Sequence, residues 1–545
     1  MSDDLLARAR AWAADDPDPQ TRAELEALIA TGDGDELADR FRGTLEFGTA
    51  GLRGRLGAGP NRMNRVVVLR AAAGLAAYLV ANGATAADSV VIGYDARHNS
   101  DVFARDTAEV MTGAGMRALL LPGPLPTPLL AYAIRALDCV AGVMVTASHN
   151  PPQDNGYKVY LGDGSQIVPP ADAGIAACIE AVGPVSEIPR GTGGTVLDAS
   201  VTDQYVHRVA GLVGPGPRDL RIVYTPLHGV GGETVRRVLD QAGFDVPHVP
   251  AAQEHPDADF PTVAFPNPEE PGAMDLAMAL AAEVDADLVV ANDPDADRCA
   301  VAVPGPHGWQ MLRGDEVGAL LAQHLLSRGT TGVYAQSIVS SSLLGSMAAA
   351  AGQPHVETLT GFKWIGRIPG LAFGYEEALG YCVDPGQVKD KDGVSALLLV
   401  CELAAAAKAA GRGLRDLLDD IAREHGLHAT DQLSVRFTDL AEIPATMQRL
   451  RSAPPESLGG LAVLRVDDLA EGSADLPPTD GLRFVLADRA RVIVRPSGTE
   501  PKVKCYLEVV IPVEPGAGDG VDAARISAAG RLDAIRADVA AAAGL

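Results

Sequence analysis

Three aspartates occupy alternate positions in the segment DPDADR, as Asp293, Asp295 and Asp297. In a tight loop this spacing can aim several hard oxygen ligands at one cation, and such ligands suit Mg²⁺. An EF-hand calcium loop would need glycine at its sixth position and glutamate at its twelfth, where this chain has Arg298 and Pro304. A solvated acidic turn is the alternative. A metal site is favoured because the segment follows the apolar run ADLVVAN, at the carboxyl end of a predicted parallel strand, where α/β folds build their sites.

A second segment, RPSGTEPKVK, gathers positive charge and hydroxyl groups between two predicted strands. It runs from Arg495 to Lys504 and carries hydroxyls at Ser497 and Thr499. Backbone N–H groups of a glycine-containing turn, together with arginine and lysine, hold phosphate through charge-assisted hydrogen bonds. The segment is not a Walker loop, because GxxxxGK[ST] is absent. A plain surface hairpin is the alternative, and the concentration of donors in an acidic chain favours the phosphate site.

Ser148 and His149 lie side by side in VTASHN, directly after the apolar run 140–145. Their surroundings do not match the Gly-x-Ser-x-Gly nucleophile elbow, so the pattern indicates an exposed hydroxyl at the end of a strand. Two further segments, GYEEALGY at 374–381 and KDG at 391–393, combine paired carboxylates with a lysine. They could hold vicinal sugar hydroxyls, which need acceptors and donors together. Alone this signal is weak, because glutamate pairs usually lie on solvated faces.

The elements that must position these residues follow a recurring order of strand, turn and helix. The segments that begin VVIGYDARHNS, RIVYTPLHGVGG and TGVYAQSIVSSS each pass from a β-branched run through a turn into an amphipathic or alanine-rich stretch. This order predicts three similar α/β domains with mixed, mostly parallel sheets. The last section, from about residue 432, alternates strands before a terminal alanine-rich helix and is typical of an α+β domain.

Proline- and glycine-rich stretches mark the predicted boundaries between these domains. They divide the chain into a helical extension at 1–40, a domain with Ser148 at 41–204, a domain with the three aspartates at 205–310, a domain with GYEEALGY at 311–427 and a C-terminal domain with RPSGTEPK at 428–545. A chain of 545 residues is long enough for each of these domains to bury a core of its own.

Composition excludes several other classes of function. A formal charge of −26 repels nucleic acid and anionic lipid, so neither nucleic acid nor membrane is an expected partner. The apolar stretches are shorter than the roughly 18 residues of a membrane span, and the N-terminus lacks a signal-peptide pattern, so a cytoplasmic protein is expected. The six cysteines are scattered without a CxxC pair, which argues against a zinc ribbon or a disulfide framework.

Together the four segments resemble the α-D-phosphohexomutases, the family of the phosphoglucomutases and phosphomannomutases. TASHNP resembles the family's phosphoserine loop, DPDADR its metal loop, GYEEALGY its sugar loop and RPSGTEPK its phosphate loop, and they occur in the family's order. LEFGTAGLRG, which contains Arg53, resembles the family's opening strand. The resemblance covers residues 41–545 and implies four domains around a central cleft. TLTGFKWIG and EEALGY are most similar to the longer branch with phosphopentomutase-like and bisphosphate-synthesising members.

The resemblance implies an intramolecular phosphotransferase that interconverts hexose 1-phosphate and hexose 6-phosphate through a phosphoserine enzyme and a sugar 1,6-bisphosphate. Glucose is expected first and mannose second, with a phosphopentomutase or a glucose-1,6-bisphosphate synthase as alternatives. Mg²⁺ is implied as cofactor and hexose 1,6-bisphosphate as primer. The implied partner is a small phosphosugar, and the enzyme is expected to be a monomer or a homodimer.

The resemblance also implies roles for numbered residues. Ser148 carries the phosphoryl group and joins Asp293, Asp295 and Asp297 in metal binding; His149, Lys158, Lys391, Arg53 and Arg298 form the remaining catalytic set; Thr360, Gly361, Glu376 and Lys391 bind the sugar; and Arg495, Ser497, Gly498, Thr499 and Lys504 hold the non-transferring phosphate. Which residue takes the proton stays open. His149 is either the general base or a structural hydrogen-bonding partner of its loop.

The chain departs from the family pattern at two positions. The sugar loop often reads Glu-x-Ser, and Ala378 replaces that serine, which leaves hexose discrimination open. Lys504 stands where arginine is frequent; both hold phosphate, although lysine cannot do so bidentately. Two other classes remain as alternatives. A sugar phosphatase would share the serine and the metal but release phosphate to water, and a noncatalytic sugar-phosphate sensor would lack the serine or a metal ligand, all of which this chain retains.

Overall fold

The computed structural model describes residues 3–49, 51–473, 476–497, 502–513 and 520–545. The chain forms two compact units, of which the first comprises residues 1–312 and 380–409 and the second comprises 313–379 and 410–545. The first unit begins with three helices, α1 (Asp3–Asp15), α2 (Pro19–Thr31) and α3 (Gly34–Phe41). Leu25, Leu37 and Phe41 form their shared core, and the α2 carboxylate of Glu24 accepts a hydrogen bond from the N–H of Ala58.

A mixed six-stranded sheet with helices follows in the first unit. Its elements are β1 (Leu52–Arg55), α4 (Arg65–Ala81), β2 (Ser89–Tyr94), α5 (Ser100–Gly113), β3 (Arg117–Pro124), α6 (Thr127–Ala136), β4 (Ala141–Val145), β5 (Asp154–Leu161), α7 (Ala171–Glu180) and β6 (Thr195–Val196). The strand order is β1-β5-β4-β2-β3-β6, with β2 parallel to β3 and β4. The connection at 146–153 is too short for a crossover helix, so β5 returns antiparallel to β4.

The second sheet of this unit has four strands. Its elements are α8 (Ser200–Ala210), β7 (Ile222–Thr225), α9 (Gly231–Gln241), α10 (Asp275–Glu283), β8 (Leu288–Ala291), β9 (Ala300–Gly305) and β10 (Gly308–Met311). The strand order is β10-β9-β8-β7, and β8 is parallel to β7 but antiparallel to β9. As in the first sheet, a short connection, here 292–299, forces the chain to turn back, and this connection carries the aspartates.

The second unit combines a parallel sheet with an antiparallel one. The chain enters it with α11 (Gly314–Ser327), β11 (Val333–Ser337), α12 (Leu343–Ala350), β12 (His355–Thr358), α13 (Phe362–Ile365) and β13 (Leu371–Glu376). It then returns to the first unit for β14 (Gly380–Cys382) and α14 (Gly393–Ala409). It continues in the second unit with α15 (Leu414–His425), β15 (Leu427–Arg436), α16 (Glu442–Ser452), β16 (Ser457–Leu458), β17 (Leu461–Asp468), β18 (Leu482–Leu486), β19 (Arg491–Pro496), β20 (Lys502–Ile511) and α17 (Gly520–Ala543). Strand β11 pairs in parallel with β12 and β13.

The C-terminal sheet has the order β15-β20-β19-β18-β17-β16, and all of its pairs are antiparallel. Val492, Val494 and Val503 are buried in one core with Leu532 and Ile535 of α17. This is the α+β section that the sequence predicts. With the mixed α/β sheets described above, it confirms the predicted fold class.

The apolar stretches of the sequence are accounted for by burial in these cores. Leu397, Leu398 and Leu399 of α14 are all buried, for example. Among the described residues no single helix is long and apolar enough to cross a membrane, although Gly393–Ala409 and Leu414–His425 reach that length and composition as a pair. All six cysteines are free, as the sequence analysis predicts.

The loop between β7 and α9 generates a prediction about stability. A Cβ atom at Gly229 would lie 2.4 Å from Cα and 2.5 Å from the carbonyl oxygen of Pro294, which are backbone atoms of the 292–299 connection. Because backbone cannot move aside as a side chain can, we expect Gly229→Ala to cost about 1–3 kcal/mol. A thermal melt should show a lower Tm. Gly214→Ala, whose Cβ meets no atom within 4 Å, is the control that should leave Tm unchanged; equal Tm values for the two variants would contradict the packing argument.

Candidate active site

Two loops of the first unit bring the candidate nucleophile to the aspartates. Ser148 lies in the 146–153 connection after β4, and Asp293 lies in the 292–299 connection after β8. The Ser148 hydroxyl donates a hydrogen bond to Oδ2 of Asp293 at 2.9 Å. Both side chains are buried, so the prediction of an exposed hydroxyl at Ser148 is wrong. Residues far apart in the sequence therefore meet where two strands of different sheets end.

The three aspartates form a compact buried cluster. Oxygen atoms of Asp293, Asp295 and Asp297 all lie within 4.8 Å of one another. Lys158 Nζ donates to Oδ2 of Asp295 at 2.7 Å and to Oδ2 of Asp297 at 3.1 Å, and Lys391 Nζ donates to the latter oxygen at 2.7 Å. The other oxygen of each of these two carboxylates, Oδ1, is buried and has no hydrogen-bonding partner among the described residues.

Those two oxygens make the cluster fit a divalent cation. Leaving a buried carboxylate oxygen unpaired is costly, and a hard cation is the group that oxygen ligands of this kind bind. Burial, together with the charges of Asp295 and Asp297, raises the pKa of Asp293 well above its ordinary value. Burial acts in the same direction on Asp297, but Lys158 and Lys391 outweigh it and hold the pKa of that carboxyl far below its usual range. A bound cation would relieve the repulsion among the carboxylates.

The aspartate loop is held in place by a residue that the sequence analysis missed. Thr127, at the start of α6, donates its hydroxyl to Oδ2 of Asp295 at 2.6 Å and its N–H to the carbonyl oxygen of Asp295 at 2.9 Å. The first turn of a helix has N–H groups without helical partners, so it can bind such a loop. The segment LPTP, which joins β3 to α6, is the sequence signal that could have indicated this helix start.

The serine loop has an unusual backbone conformation. Ser148 has φ of +53°, a region that residues other than glycine seldom adopt, and its N–H donates to the hydroxyl of Thr146 at 2.8 Å. The Nδ1 atom of His149 lies 3.3 Å from the Ser148 hydroxyl. Burial and the neighbouring positive charges of Arg298 and Arg53 lower the pKa of His149 well below its ordinary value. The imidazole is therefore neutral, which is compatible with both roles predicted for it.

The remaining candidate catalytic residues of the first unit surround the same two loops. Arg53, on β1, donates to Oδ1 of Asn150 in the serine loop at 3.2 Å. The Nε atom of Arg298 lies 3.7 Å from Asp293 and 3.9 Å from Asp297. The structure thus brings together Ser148, His149, Lys158, Lys391, Arg53, Arg298 and the three aspartates, all from the first unit.

Lys391 is flanked by a buried polar group that sequence reasoning also missed. Asp390 accepts hydrogen bonds from the hydroxyl of Tyr160 at 2.7 Å and from the amide of Gln166 at 2.8 Å. Its other oxygen accepts from the N–H of Lys391 at 2.8 Å. These contacts fix the backbone from which the Lys391 side chain reaches Asp297. The alternation of acidic and basic residues in KDKDG was the only sequence signal, and it did not indicate which carboxylate is buried.

Three of the predicted sugar-binding residues, Thr360, Gly361 and Glu376, lie in the second unit, whereas Lys391 lies in the first. Gly361 precedes α13 with φ of +114°, and its N–H donates to Oε1 of Glu376 at 2.6 Å, while Thr360 is its neighbour in the chain. The adjacent Glu377 accepts hydrogen bonds from the hydroxyls of Ser337 and Ser340, each at 3.1 Å. The loop that carries Glu376 is therefore held on both sides, and one oxygen of Glu376 is committed to the protein backbone.

The predicted phosphate-binding residues lie on the hairpin of β19 and β20. Arg495 and Lys504 are directly opposite each other across the two strands, which places two positive side chains together. The N–H of Ser497 donates to the carbonyl oxygen of Lys502 at 2.8 Å at the end of the ladder. Gly498 and Thr499 lie outside the described residues.

Comparison with known proteins matches four successive domain profiles to the chain. Profiles described as phosphoglucomutase/phosphomannomutase α/β/α domains I, II and III match residues 44–185, 203–306 and 313–425, and the C-terminal domain profile matches 434–514. A Haemophilus influenzae protein named as a phosphomannomutase is 50% identical over 82% of this chain and 93% of its own length. A Schizosaccharomyces pombe protein named as a phosphoribomutase is 37% identical over 91% and 92%. The solved structure of a Thermus thermophilus protein named as a phosphomannomutase covers 90% of this chain and 99% of its own, with 26% identity and a TM-score of 0.71.

The unpaired carboxylate oxygens generate a prediction about metal affinity. We expect Asp295→Asn and Asp297→Asn each to weaken Mg²⁺ binding by at least about 10-fold, since loss of even an outer partner of a metal ligand costs that much. Isothermal titration calorimetry of the purified protein with MgCl₂ would measure it. Asp285→Asn, at a fully exposed side chain of the same domain, is the matched control and should bind as the unmodified protein does. Unchanged affinity for Mg²⁺ in both the Asp295→Asn and the Asp297→Asn variant would show that the aspartates do not hold the metal.

Proposed function

Because the chain belongs to the phosphoglucomutase/phosphomannomutase family, it is a phosphomutase, an enzyme of the isomerase type, and we propose that it interconverts hexose 1-phosphate and hexose 6-phosphate. The observation that carries the proposal is the hydrogen bond from Ser148 to the buried aspartate cluster. A hydroxyl in this position is next to ligands for a cation and next to several positive side chains. We propose that Ser148 carries the phosphoryl group that the enzyme transfers.

In the proposed reaction, phospho-Ser148 gives its phosphoryl group to a free hydroxyl of the bound hexose monophosphate. The new P–O bond forms at that sugar oxygen, the bond to the serine oxygen breaks, and the sugar becomes a 1,6-bisphosphate. The bisphosphate then turns end for end, and the phosphate at its other end returns to Ser148. A sugar bisphosphate added as primer would load the serine of any enzyme that has lost its phosphate.

The side chains around Ser148 supply charge and proton transfer for this step. Asp293, Asp295 and Asp297 would hold Mg²⁺, which when bound neutralises charge on the transferring phosphoryl group. Arg53 and Arg298 lie close enough to the serine and aspartate loops to hold phosphoryl oxygens. The proton of the attacking sugar hydroxyl passes to a neighbouring group, for which His149, Lys158 and Lys391 are the candidates.

Of the residues proposed to bind substrate, all but Lys391 lie in the second unit. The second carboxylate oxygen of Glu376 would accept hydrogen bonds from ring hydroxyls, and Thr360, Gly361 and Lys391 complete the proposed sugar contacts. Arg495, Ser497 and Lys504 would hold the phosphate that does not react, with Gly498 and Thr499 between them in sequence. One phosphate site must serve both orientations of the intermediate. Paired positive side chains suit this task because they bind phosphate without regard to the sugar attached to it.

Glucose is the first proposed sugar and mannose the second, and pentose phosphates remain a serious alternative. Ala378 offers no hydroxyl to the sugar, and one similar protein is named as a phosphoribomutase. Synthesis of glucose 1,6-bisphosphate would use the same phosphoserine, with a different phosphoryl donor. A phosphatase is disfavoured by family membership, and a noncatalytic sensor by the retention of Ser148 with all three aspartates. A cytoplasmic location, and a monomer or homodimer, stay part of the proposal.

Removing the nucleophile tests the reaction. We expect Ser148→Ala to abolish mutase activity, at least about 10³-fold, because the covalent route needs the hydroxyl. Coupled assay with glucose 1-phosphate, Mg²⁺ and glucose 1,6-bisphosphate measures the activity, and intact-mass analysis should show one phosphate on the unmodified enzyme and none on the variant. Ser165→Ala removes a buried hydroxyl without a hydrogen-bonding partner among the described residues and should stay active. A fully active Ser148→Ala enzyme would end the phosphoserine proposal.

The missing hydroxyl at position 378 predicts relaxed sugar selectivity. A site that forgoes one hydrogen bond gives up discrimination of about 1 kcal/mol, so we expect activity on more than one sugar phosphate. Comparison of kcat/KM for glucose, mannose and ribose 1-phosphates, each primed with its bisphosphate, measures this, with free phosphate assayed in parallel to detect hydrolysis. A preference above about 10⁴-fold for one sugar would show that contacts outside the sugar loop set specificity.

A further inference from the structure

The segment between β2 and α5 places two buried charged side chains, Asp95 and Arg97, against the serine loop. The Arg97 side chain is only 1% exposed, and so is that of Asp95, whose Oδ2 lies 3.2 Å from Nε of Arg97. Neither residue belongs to the set of catalytic and binding groups described above. An arginine this deeply buried is rare unless its charge is paired and its N–H groups are used.

The guanidinium group of Arg97 is used almost entirely to bind the backbone of the serine loop. Nη1 donates to the carbonyl oxygen of Pro151 at 2.8 Å and to that of Asp154 at 3.2 Å. Nη2 donates to the carbonyl oxygens of Asn150, at 2.7 Å, and of Ser148 itself. One planar group thus binds three carbonyls of the loop and a fourth at the first residue of β5, a geometry that lysine, with a single nitrogen, cannot reproduce.

Asp95 completes the support from the other side of the Ser148 backbone unit. Its Oδ2 accepts a hydrogen bond from the hydroxyl of Thr146 at 2.6 Å, and that hydroxyl accepts from the N–H of Ser148 at 2.8 Å. Its Oδ1 accepts from the hydroxyl of Ser100 and from the N–H of Arg97. Ser148 is therefore held at its N–H through Thr146 and Asp95, and at its carbonyl oxygen through Arg97.

Ser148 needs such support because of its backbone conformation. A residue other than glycine in the left-handed region costs roughly 1–3 kcal/mol and persists only where its surroundings over-determine it. Arg97 also reaches the domain that carries the aspartates, since its guanidinium carbon lies 4.9 Å from the ring centre of Phe260. The same side chain therefore contacts the loop of the nucleophile and the domain of the candidate metal ligands.

We propose that Arg97, with Asp95 and Thr146, is the positioning group that aims the Ser148 hydroxyl at the aspartate cluster. Arg97 acts through the loop backbone, not by touching the phosphoryl group. The catalytic consequence rests on the proposed function. In-line phosphoryl transfer depends on placement within about 1 Å, and a misplacement of that size costs on the order of 10²-fold in rate.

The test compares Arg97→Lys with Arg65→Lys. Arg65 makes a paired contact with buried Asp106 in the same domain, at 2.7 Å for both hydrogen bonds, and Arg190 also binds that aspartate. Both substitutions keep the charge and lose a planar group, and Tm is measured for each because the Arg65 side chain is 23% exposed and that of Arg97 is 1% exposed. We expect Arg97→Lys to lower kcat about 10²-fold with KM for the sugar phosphate changed less than about 3-fold. Arg65→Lys should keep kcat within about 2-fold, whatever its effect on Tm.

A second variant and a second readout keep the proposal open to refutation if Arg97→Lys does not fold. Thr146→Val removes the hydroxyl that joins Ser148 to Asp95 at nearly constant volume, and it should lower kcat in the same way by about 10-fold or more. Intact-mass analysis would follow phosphate on Ser148 after mixing with glucose 1,6-bisphosphate, and slower loading is expected in both variants.

The outcomes separate this proposal from the proposed function. If the unmodified enzyme takes up phosphate on Ser148 but isomerises none of the sugars, the mutase assignment fails while the loading rates still test the positioning group. If the unmodified enzyme takes up no phosphate, the phosphoserine proposal itself fails and the positioning role falls with it. Arg97→Lys and Thr146→Val enzymes with unmodified kcat and loading rate, or with losses matched by Arg65→Lys, would overturn the positioning role and leave a purely structural one.

Discussion

The burial of three carboxylates in one short loop is the constraint on which the rest of the site depends. Asp293, Asp295 and Asp297 cannot all be charged and dry without compensation, because like charges repel strongly where water is excluded. Lys158 and Lys391 provide part of that compensation by binding one oxygen of Asp295 and of Asp297. Among the described residues, Oδ1 of Asp295 and Oδ1 of Asp297 have no hydrogen-bonding partner, and both oxygens fit a cation.

Sheet topology explains how Ser148 and these carboxylates come to face each other. In both sheets of the first unit, a strand that is parallel to its neighbour is followed by a short connection and an antiparallel strand. The chain must turn sharply in 146–153 and in 292–299, and these turns place Ser148 and the aspartates beyond the ends of their strands. In the second unit, Arg495 and Lys504 lie opposite each other across an antiparallel pair of strands, close to the connection between those strands.

Much of the fold and of the site follows from local sequence. The order of strand, turn and helix predicts the α/β domains, and the alternating strands after residue 432 predict the α+β C-terminal section. Aspartates at alternate positions, after a buried strand, are placed together by the loop itself, so the spacing alone was informative. Local sequence does not show which charged side chains neutralise one another. Lys158 lies on β5 and Lys391 lies before α14, and only the tertiary structure brings both to Asp297.

The residues that sequence reasoning missed share a physical character. Thr127, Asp390 and Arg97 contact their partners chiefly through backbone groups or through other protein side chains, so no chemical motif marks them. Arg97 could nevertheless have been predicted from the same sequence signal as the aspartates. Its segment, GYDARHNS, also follows a buried parallel strand and also places charged residues at the carboxyl end of that strand. A charge at such a position has to be paired once it is buried. The neighbouring group that Arg97 can support is the serine loop, whose backbone is strained at Ser148. Its position in the sequence therefore identifies Arg97 as a candidate functional residue. Only its hydrogen bonds to four carbonyl oxygens distinguish a residue that supports the Ser148 loop from one that would bind the substrate.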